Sequence, residues 1–302
     1  MSSVDPASKM SSHEPRVSIL MGTWNRARLL PAAVRSIQNQ SFKDWELIIA
    51  DDGSTDETPQ VVQGLKMEDE RIRYVRNPRN QGISKNYNTG LRLAKGEYVA
   101  MIDDDDPWIG ENKLARQVKF LDEHPNYVGC GGGVIVVDPA GKPFDTAHGK
   151  PFDTAHGKEL YRYFKPQTDA EIRKLMLFGN PMANSTTLFR RAAGEEVGWY
   201  DETTRYSGDR DFWLKMGLIG RLYNFPEYFS YYTMSGENTS IAKMKPHLQA
   251  SLKIMQRYKG KYPHYFQALL LNQAQYLYSF LPVSIRRPLH VLLARLKRAA
   301  VG

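Results

Sequence analysis

The sequence predicts an α/β protein whose central sheet is mostly parallel, with helices on both faces. Three observations carry that expectation. Short apolar runs of strand length alternate with amphipathic segments, the connections are brief, and two of the runs end in clusters of aspartate. Val17–Met21 is the first strand, and the helix after it, Leu29–Gln40, sets Leu30, Val34 and Ile37 on one face. Trp45–Ala50 is the second strand. Ser54-Thr55-Asp56-Glu57 then opens a helix with side chains suited to N-terminal capping. Ile72–Val75 is a third strand, and a polar loop from Asn77 to Gly82 leads into a helix ending near Lys95-Gly96. Tyr98–Ile102 is the fourth. Beyond Gly110 the order changes: a helix at Lys113–His124, a strand at Val128–Val137, a returning strand at Asn184–Arg190 and a helix at Asp209–Leu218. After Pro246 the pattern is mainly helical, over Leu248–Tyr258, Tyr265–Phe280 and Pro288–Ala299, and reads as a C-terminal appendage.

Composition narrows the class. With 302 residues, 41% of them hydrophobic, the chain can bury a sizeable core. A single cysteine, Cys130, excludes an intrachain disulfide and a thiolate metal cluster, and fits a reducing, cytoplasmic setting. The net charge of +8 favours anionic partners such as nucleotides or lipid head groups, but no nucleic-acid-binding motif accompanies it. No apolar run is long enough to cross a bilayer, and residues 1–16 are polar, without the apolar stretch of a secretory signal, and read as a disordered leader. Gly-Lys-Pro-Phe-Asp-Thr-Ala-His occurs twice in tandem, at 141–148 and 149–156, as a duplication in a tolerant surface loop would.

The acidic strand ends carry the chemistry. Asp103-Asp104-Asp105-Asp106 follows a strand directly, and crowded carboxylates persist only where something offsets their charge. The Asp-x-Asp spacing of Asp103 and Asp105 lets two carboxylates meet one hard cation, Mg²⁺ or Mn²⁺, which shares its shell with substrate phosphates. An EF-hand is excluded, because its glycine and distal glutamate are not at the required spacings. Asp51 and Asp52, at the end of the second strand, are placed to accept hydrogen bonds from a base or a ribose. Asp209 and Asp211 fall at a helix start, where backbone N–H groups favour an anion able to serve as a general base.

Taken in order, these segments resemble a family 2 glycosyltransferase with the GT-A fold. The similarity runs from about Val17 to Ser240, through Val17–Arg26, Asp51–Asp56, Asn80–Asn86, Ala94–Tyr98, Asp103–Asp106, Phe189–Arg191, Gly198–Glu202, Asp209–Leu214 and Tyr231–Ser240. Such a domain would occupy 17–240, with a nucleotide-binding half at 17–106, an acceptor half at 107–240 and a helical segment at 241–302. The resemblance implies inverting transfer of a sugar from a nucleotide-diphosphate donor to an acceptor hydroxyl. It assigns donor contacts to Thr23, Asn25, Asp51, Asp52, Lys85, Asp103 and Asp104, the metal to Asp103 and Asp105, the general base to Asp209, and the acceptor side to Asp211 and Trp213. A glycan or lipid-linked acceptor in cell-surface polysaccharide or glycolipid synthesis is the corresponding expectation.

One departure stands out: Gly208 occupies the position where the family usually has a glutamate before the base. It motivates an alternative, a catalytically silent nucleotide-sugar binder; a nucleotidyltransferase would share the nucleotide and metal logic. The Gln-x-x-Arg-Trp mark of processive synthases is absent. In Ser284–Ala299, Leu289, Leu292, Leu293 and Leu296 recur at helical spacing among Arg286, Arg287, Arg295, Lys297 and Arg298, a pattern that suits peripheral contact with an anionic membrane.

Overall fold

In chain order, the first half of the protein is a run of parallel βα units. The strands are β1 (Val17–Thr23), β2 (Trp45–Asp51), β3 (Ile72–Arg76) and β4 (Tyr98–Asp103). Between them lie helices α1 (Leu30–Gln38), α2 (Thr58–Glu68) and α3 (Ile83–Leu91). The computed structural model describes residues 14–137, 162–233 and 243–282. The expected leader up to residue 13, the tandem repeat and the helix at Pro288–Ala299 lie outside the described residues.

The four strands pair in parallel in the order β3-β2-β1-β4. Their side chains alternate between two cores, as the two-residue period of a strand requires. Leu20, Ile48, Val99 and Met101 face one side, with Tyr87 and Leu91 of α3. Ile19, Met21, Leu47, Ile49, Ala100 and Ile102 face the other, with α1 and with Val62 and Leu65 of α2. Register decides where the chemistry falls: Thr23 pairs with Asp51, and Gly22 pairs with Asp103. Both acidic strand ends therefore flank the end of β1.

The second half adds α4 (Lys113–Glu123), β5 (Tyr127–Val137), β6 (Arg162–Tyr163), α5 (Asp169–Leu175), β7 (Leu188–Arg190) and α6 (Arg191–Glu196). It continues with α7 (Gly208–Ile219), β8 (Arg221–Thr233), α8 (Met244–Arg257) and α9 (Tyr265–Tyr278). β7 joins the sheet antiparallel to β4 and β5, and β8 runs parallel to β5. The eight-stranded sheet is thus parallel through its nucleotide-side half and mixed beyond it. α8 and α9 pack on α7: Tyr258 donates to Asp211, Tyr262 to the Leu214 carbonyl, and Arg210 to Asn272.

Two expectations change here. Asn184–Arg190 is not one strand. Asn184–Thr186 forms a 3₁₀ turn, because the hydroxyls of Thr186 and Thr187 donate at 2.7 Å to the carbonyls of Ala183 and Asn184 and tighten the chain. The helix after Gly82 stops at Leu91, short of Lys95.

Candidate active site

The site is assembled where β4, α3, the 3₁₀ turn and α7 converge. Tyr87, on α3, must cross the end of β1 to reach the acidic cluster, and Gly22 permits it: a Cβ there would meet the Tyr87 ring at 2.6 Å. The Tyr87 hydroxyl donates to Asp103 Oδ1 at 2.5 Å. Asn184 Nδ2 approaches the same oxygen at 3.2 Å, and the Ser185 hydroxyl lies 3.0 Å from Asp103 Oδ2 and 2.9 Å from Asp106 Oδ2. Residues of the second half thus clamp the strand end of the first.

The four aspartates divide their work. Asp106 is buried and faces the sheet; its Oδ1 accepts from the Thr233 amide at 2.9 Å, and the Ser230 hydroxyl donates to its carbonyl. Burial, then the charges of Asp105 and Asp103, push its carboxyl well above the usual range. Asp104 is buried too, and burial, opposed by Arg26, raises it to about 7. Asp103 is likewise raised, by burial and then by the Asp105 charge. Asp105 keeps partial access, with 13% of its side chain exposed.

Arg26 supplies the neutralising charge within the chain. One of its nitrogens, Nη1, donates to Asp104 Oδ1 at 2.9 Å and to Asp105 Oδ2 at 2.7 Å. Burial works against its charge, but the two carboxylates hold it firmly protonated. Two polar atoms remain without a hydrogen bond in this buried corner, Asp104 Oδ2 and Thr23 Oγ1. The Thr23 side chain is near enough to Asp104 to oppose the rise of its carboxyl. Among the described residues no three acidic, histidine or cysteine side chains converge as a ready-made metal cage. Mg²⁺ requires only one or two carboxylates when phosphates complete its shell, and the oxygen-only donors of Asp103 and Asp105, close enough to repel each other, suit such an ion.

At the end of β2 the two carboxylates are unequal. Asp51 is fully buried: Oδ1 accepts from the Ser54 amide and hydroxyl, and Oδ2 from the Tyr74 hydroxyl at 2.6 Å. It builds the turn and is closed to a ligand. Asp52 orders the polar loop, accepting from Asn77 and the Gln81 amide on one oxygen and from the Gly82 amide on the other. That second oxygen retains a lone pair. Asn25 sits at φ +54°, a left-handed conformation that asparagine tolerates, and braces the facing loop through the Thr55 amide at 2.7 Å. Lys85 is exposed on the first turn of α3, near Glu202.

Asp209 stands in the first turn of α7. Its Oδ2 accepts from Asn180 at 2.7 Å, and no described residue hydrogen-bonds to its Oδ1. It lies close enough to Asp103 for their charges to interact, with Tyr87 and Tyr200 feeling both. Burial first, and then these carboxylates, push both tyrosine hydroxyls well above their usual range and keep them as donors. Lys165 donates to the Asn180 carbonyl and also lines a hollow of about 530 Å³ with Phe164, Gln167, Lys174 and Phe225.

Asp211 and Trp213, expected on the acceptor side, are placed in the interior. Asp211 is 2% exposed and accepts from Tyr258 at 2.9 Å, while Trp213 is fully buried against Phe189 and Phe212. The helical period turns both toward the core and leaves Asp209 at the edge. Gly208 also has a packing reason. A Cβ there would stand 2.5 Å from the Ser84 hydroxyl, so any side chain at this position requires that hydroxyl, which donates to the Thr204 carbonyl, to move. Gly208→Ala is expected to lower stability by about 1–3 kcal/mol. Adding Ser84→Ala, which leaves the nearest Ser84 atom 3.7 Å away, should recover much of that loss in denaturant melts.

Sequence reasoning did not single out Arg26, Tyr87, Asn180, Asn184 or Ser185. Arg26 lay in plain view within the opening segment, and its charge opposite four aspartates was the available signal. The others come from folding distant segments together, which no local pattern reports.

Residues 18–198, more than half of the chain, match the family model for glycosyl transferase family 2. The chain belongs to that family. Its members are enzymes that transfer glycosyl groups. This glycosyltransferase is 31% identical over 217 residues to EpsE of Bacillus subtilis, named as a glycosyltransferase, covering 70% of this chain and 71% of that one. Over 93 residues it is 50% identical to the GalNAc(5)-diNAcBac-PP-undecaprenol beta-1,3-glucosyltransferase of Campylobacter jejuni; that match covers 30% of each chain. Among solved structures, the mannosyltransferase PcManGT of Pyrobaculum calidifontis, in complex with GDP-Man and Mn²⁺, superposes with a TM-score of 0.63 at 21% identity. That match covers 96% of this chain and 75% of the other. S. aureus TarS 1–349 with UDP-GlcNAc gives 0.61 at 21% identity, over 88% and 73%. These two likenesses establish the shared GT-A architecture. No helix among the described residues is long and apolar enough to cross a membrane.

Proposed function

We propose that this glycosyltransferase moves a sugar, with inversion, from a nucleotide-diphosphate donor to the hydroxyl of a glycan or lipid-linked acceptor in cell-surface polysaccharide or glycolipid synthesis. The observation that carries the reading is the meeting of the β4 acidic end with Asp209, a helix-start carboxylate with one oxygen unengaged. Relatives named for an undecaprenol-linked acceptor and for colanic acid biosynthesis support the pathway class. The solved complexes of PcManGT with GDP-Man and of TarS with UDP-GlcNAc support the donor class.

In this reading Asp103 and Asp105 hold a divalent cation, Mg²⁺ or Mn²⁺, together with the donor diphosphate. When bound, that ion neutralises charge building on the leaving group. Arg26 keeps Asp104 and Asp105 in place, and Asp52, Asn25, Thr23 and Lys85 form the donor rim. Asp209 takes the proton from the acceptor hydroxyl as its oxygen attacks the anomeric carbon, opposite the breaking bond to the diphosphate. Asn180 aims that carboxylate. The products are the glycosylated acceptor and a free nucleoside diphosphate.

The test is donor binding and turnover with Mn²⁺ and with EDTA. Asp105→Ala is expected to abolish the metal-dependent part of donor-induced thermal stabilisation and to lower turnover by more than tenfold. Full activity of that variant in EDTA would refute metal assistance, and release of pyrophosphate in place of nucleoside diphosphate would indicate a nucleotidyltransferase.

A further inference from the structure

The molecule's positive charge is concentrated at one end. Glu237 is the last acidic residue; the 65 residues after it hold eleven of the 41 lysines and arginines, so the rest of the chain carries 30 against 33 carboxylates. The described part of that basic end is the α8–α9 hairpin. It bears Lys243, Lys245, Lys253, Arg257, Lys259 and Lys261 and no carboxylate side chain.

The same hairpin exposes apolar surface where a soluble helix would carry polar groups. Of twelve large hydrophobic side chains exposed on the described residues, four belong to α9 and its end: Phe266 at 71%, Leu270 at 70%, Leu277 at 68% and Phe280 at 56%. At the helical period of 100° per residue these four fall within a single stripe. The face opposite is the one that packs, with Ala268 and Asn272 buried. Lysines bracket the stripe at both ends. Lys245 Nζ lies 4.0 Å from the centre of the Phe280 ring, and Lys259 Nζ lies 5.9 Å from that of Tyr265, next to Phe266. An apolar row flanked by cations on long stems is the arrangement that lies in a lipid interface, its rings among the acyl chains and its ammonium groups at anionic head groups.

We propose that the outer face of α9, with the lysines of α8, docks this enzyme on an anionic phospholipid bilayer. One end of this surface lies near the site. α8 begins beside the base: the Ser207 hydroxyl, two residues before Asp209, lies 3.1 Å from His247 Nδ1, and His247 is two residues from Lys245. The Phe280 end of the stripe, against which Lys245 rests, is therefore the end nearest Asp209, the carboxylate that a lipid-linked hydroxyl has to reach. The inference deepens the proposed reading of a lipid-linked acceptor. Vesicle binding is read without donor or acceptor, so failure of either leaves the other standing.

The experiment is co-sedimentation of the full chain with phosphatidylcholine vesicles, with and without phosphatidylglycerol. The intact protein should partition to the anionic vesicles only. Phe266→Ser with Leu270→Ser, and separately Lys245→Glu with Lys259→Glu, should each cut that partition by about tenfold or more. Donor binding should be unchanged in both. Undiminished partition of the serine variant would overturn the proposal, because Ser284–Ala299 would then suffice. A drop in oligomeric state in the same variant, by light scattering, would also overturn it and assign the stripe to a contact between copies. A second readout does not depend on removing side chains. Since Cys130 is buried, an environment-sensitive dye on Leu270→Cys reports that position alone. Its emission should shift to the blue with anionic vesicles, and an unchanged spectrum would refute the docking face.

Discussion

Asp209→Asn is expected to lower turnover by about 10²–10⁴-fold while leaving nucleotide-sugar affinity within about twofold of the intact enzyme. The substitution preserves shape and leaves the Asn180 contact open to an amide oxygen, but removes the only group at this position able to take a proton. The carboxylate is anchored on one side alone, by Asn180 at 2.7 Å, and stands in the first turn of α7, where unpaired backbone N–H groups favour its charge. Single-turnover assays with pre-bound donor separate the two effects. If the defect appears in KM for the donor with kcat preserved, Asp209 is a binding residue and another base must be sought. Asn180→Ala supplies a companion reading. It should lower kcat by a smaller factor, because it frees the carboxylate to rotate without removing it.

Much of the nucleotide-side half was legible because its information is local. β1, β2 and β4 are mainly apolar runs, interrupted only by Ser18 and Glu46 before their polar ends and buried on both faces, and each is followed by polar residues that turn the chain. The acidic ends announced themselves for the same reason. What sequence could not show was which carboxylate faces outward. Asp51 and Asp52 are adjacent and identical in type, yet Asp51 is consumed by Ser54 and Tyr74, the latter 23 residues away. The same holds for Asp209 and Asp211, separated only by the rotation of one helix. The acceptor half was less legible because its elements depend on one another. β8 contains Pro226 and slips register against β5 between Gly131 and Gly133, so it carries neither the apolar run nor the strict alternation that marks a strand. The Asn184–Thr186 turn is made by side-chain hydroxyls competing for the backbone, an outcome that strand propensity alone misreads. Arg26 illustrates the remaining gap. The crowding of Asp103–Asp106 pointed to a neutralising cation, and part of that role is filled by a guanidinium from 78 residues upstream.

The largest stability change should come from Lys113→Met, and its direction with pH is a sharp test. Lys113 is 1% exposed at the start of α4, and burial lowers its ammonium from 10.5 to about 7. Two contacts hold the charged form against that burial: a hydrogen bond to Gln117 Oε1 at 2.8 Å and the face of Trp108 at 3.9 Å. Below about pH 7 both folded and unfolded chains carry the proton, and the full cost of burying it applies. Between 7 and 10.5 the unfolded chain binds the proton and the folded one does not, so the stability of the intact protein rises with pH. At about 1.36 kcal/mol per unit, the cost at low pH is on the order of 4–5 kcal/mol. Methionine matches the stem's length and removes the charge, while leaving Gln117 Oε1 short of a partner at a cost of roughly 1–3 kcal/mol. The variant should therefore be the more stable protein at pH 6, by a few kcal/mol in urea unfolding. That advantage should shrink steadily as pH rises and be lost near the pH at which free lysine titrates. A gap independent of pH would show that Lys113 keeps its proton throughout, held by Trp108 and Gln117. Trp108 also donates its indole N–H to the Ser185 carbonyl at 2.7 Å, and Ser185 in turn holds Asp103 and Asp106. A loss of turnover in the stabilised variant would accordingly trace a path from this buried amine, through one ring, to the acidic end of β4.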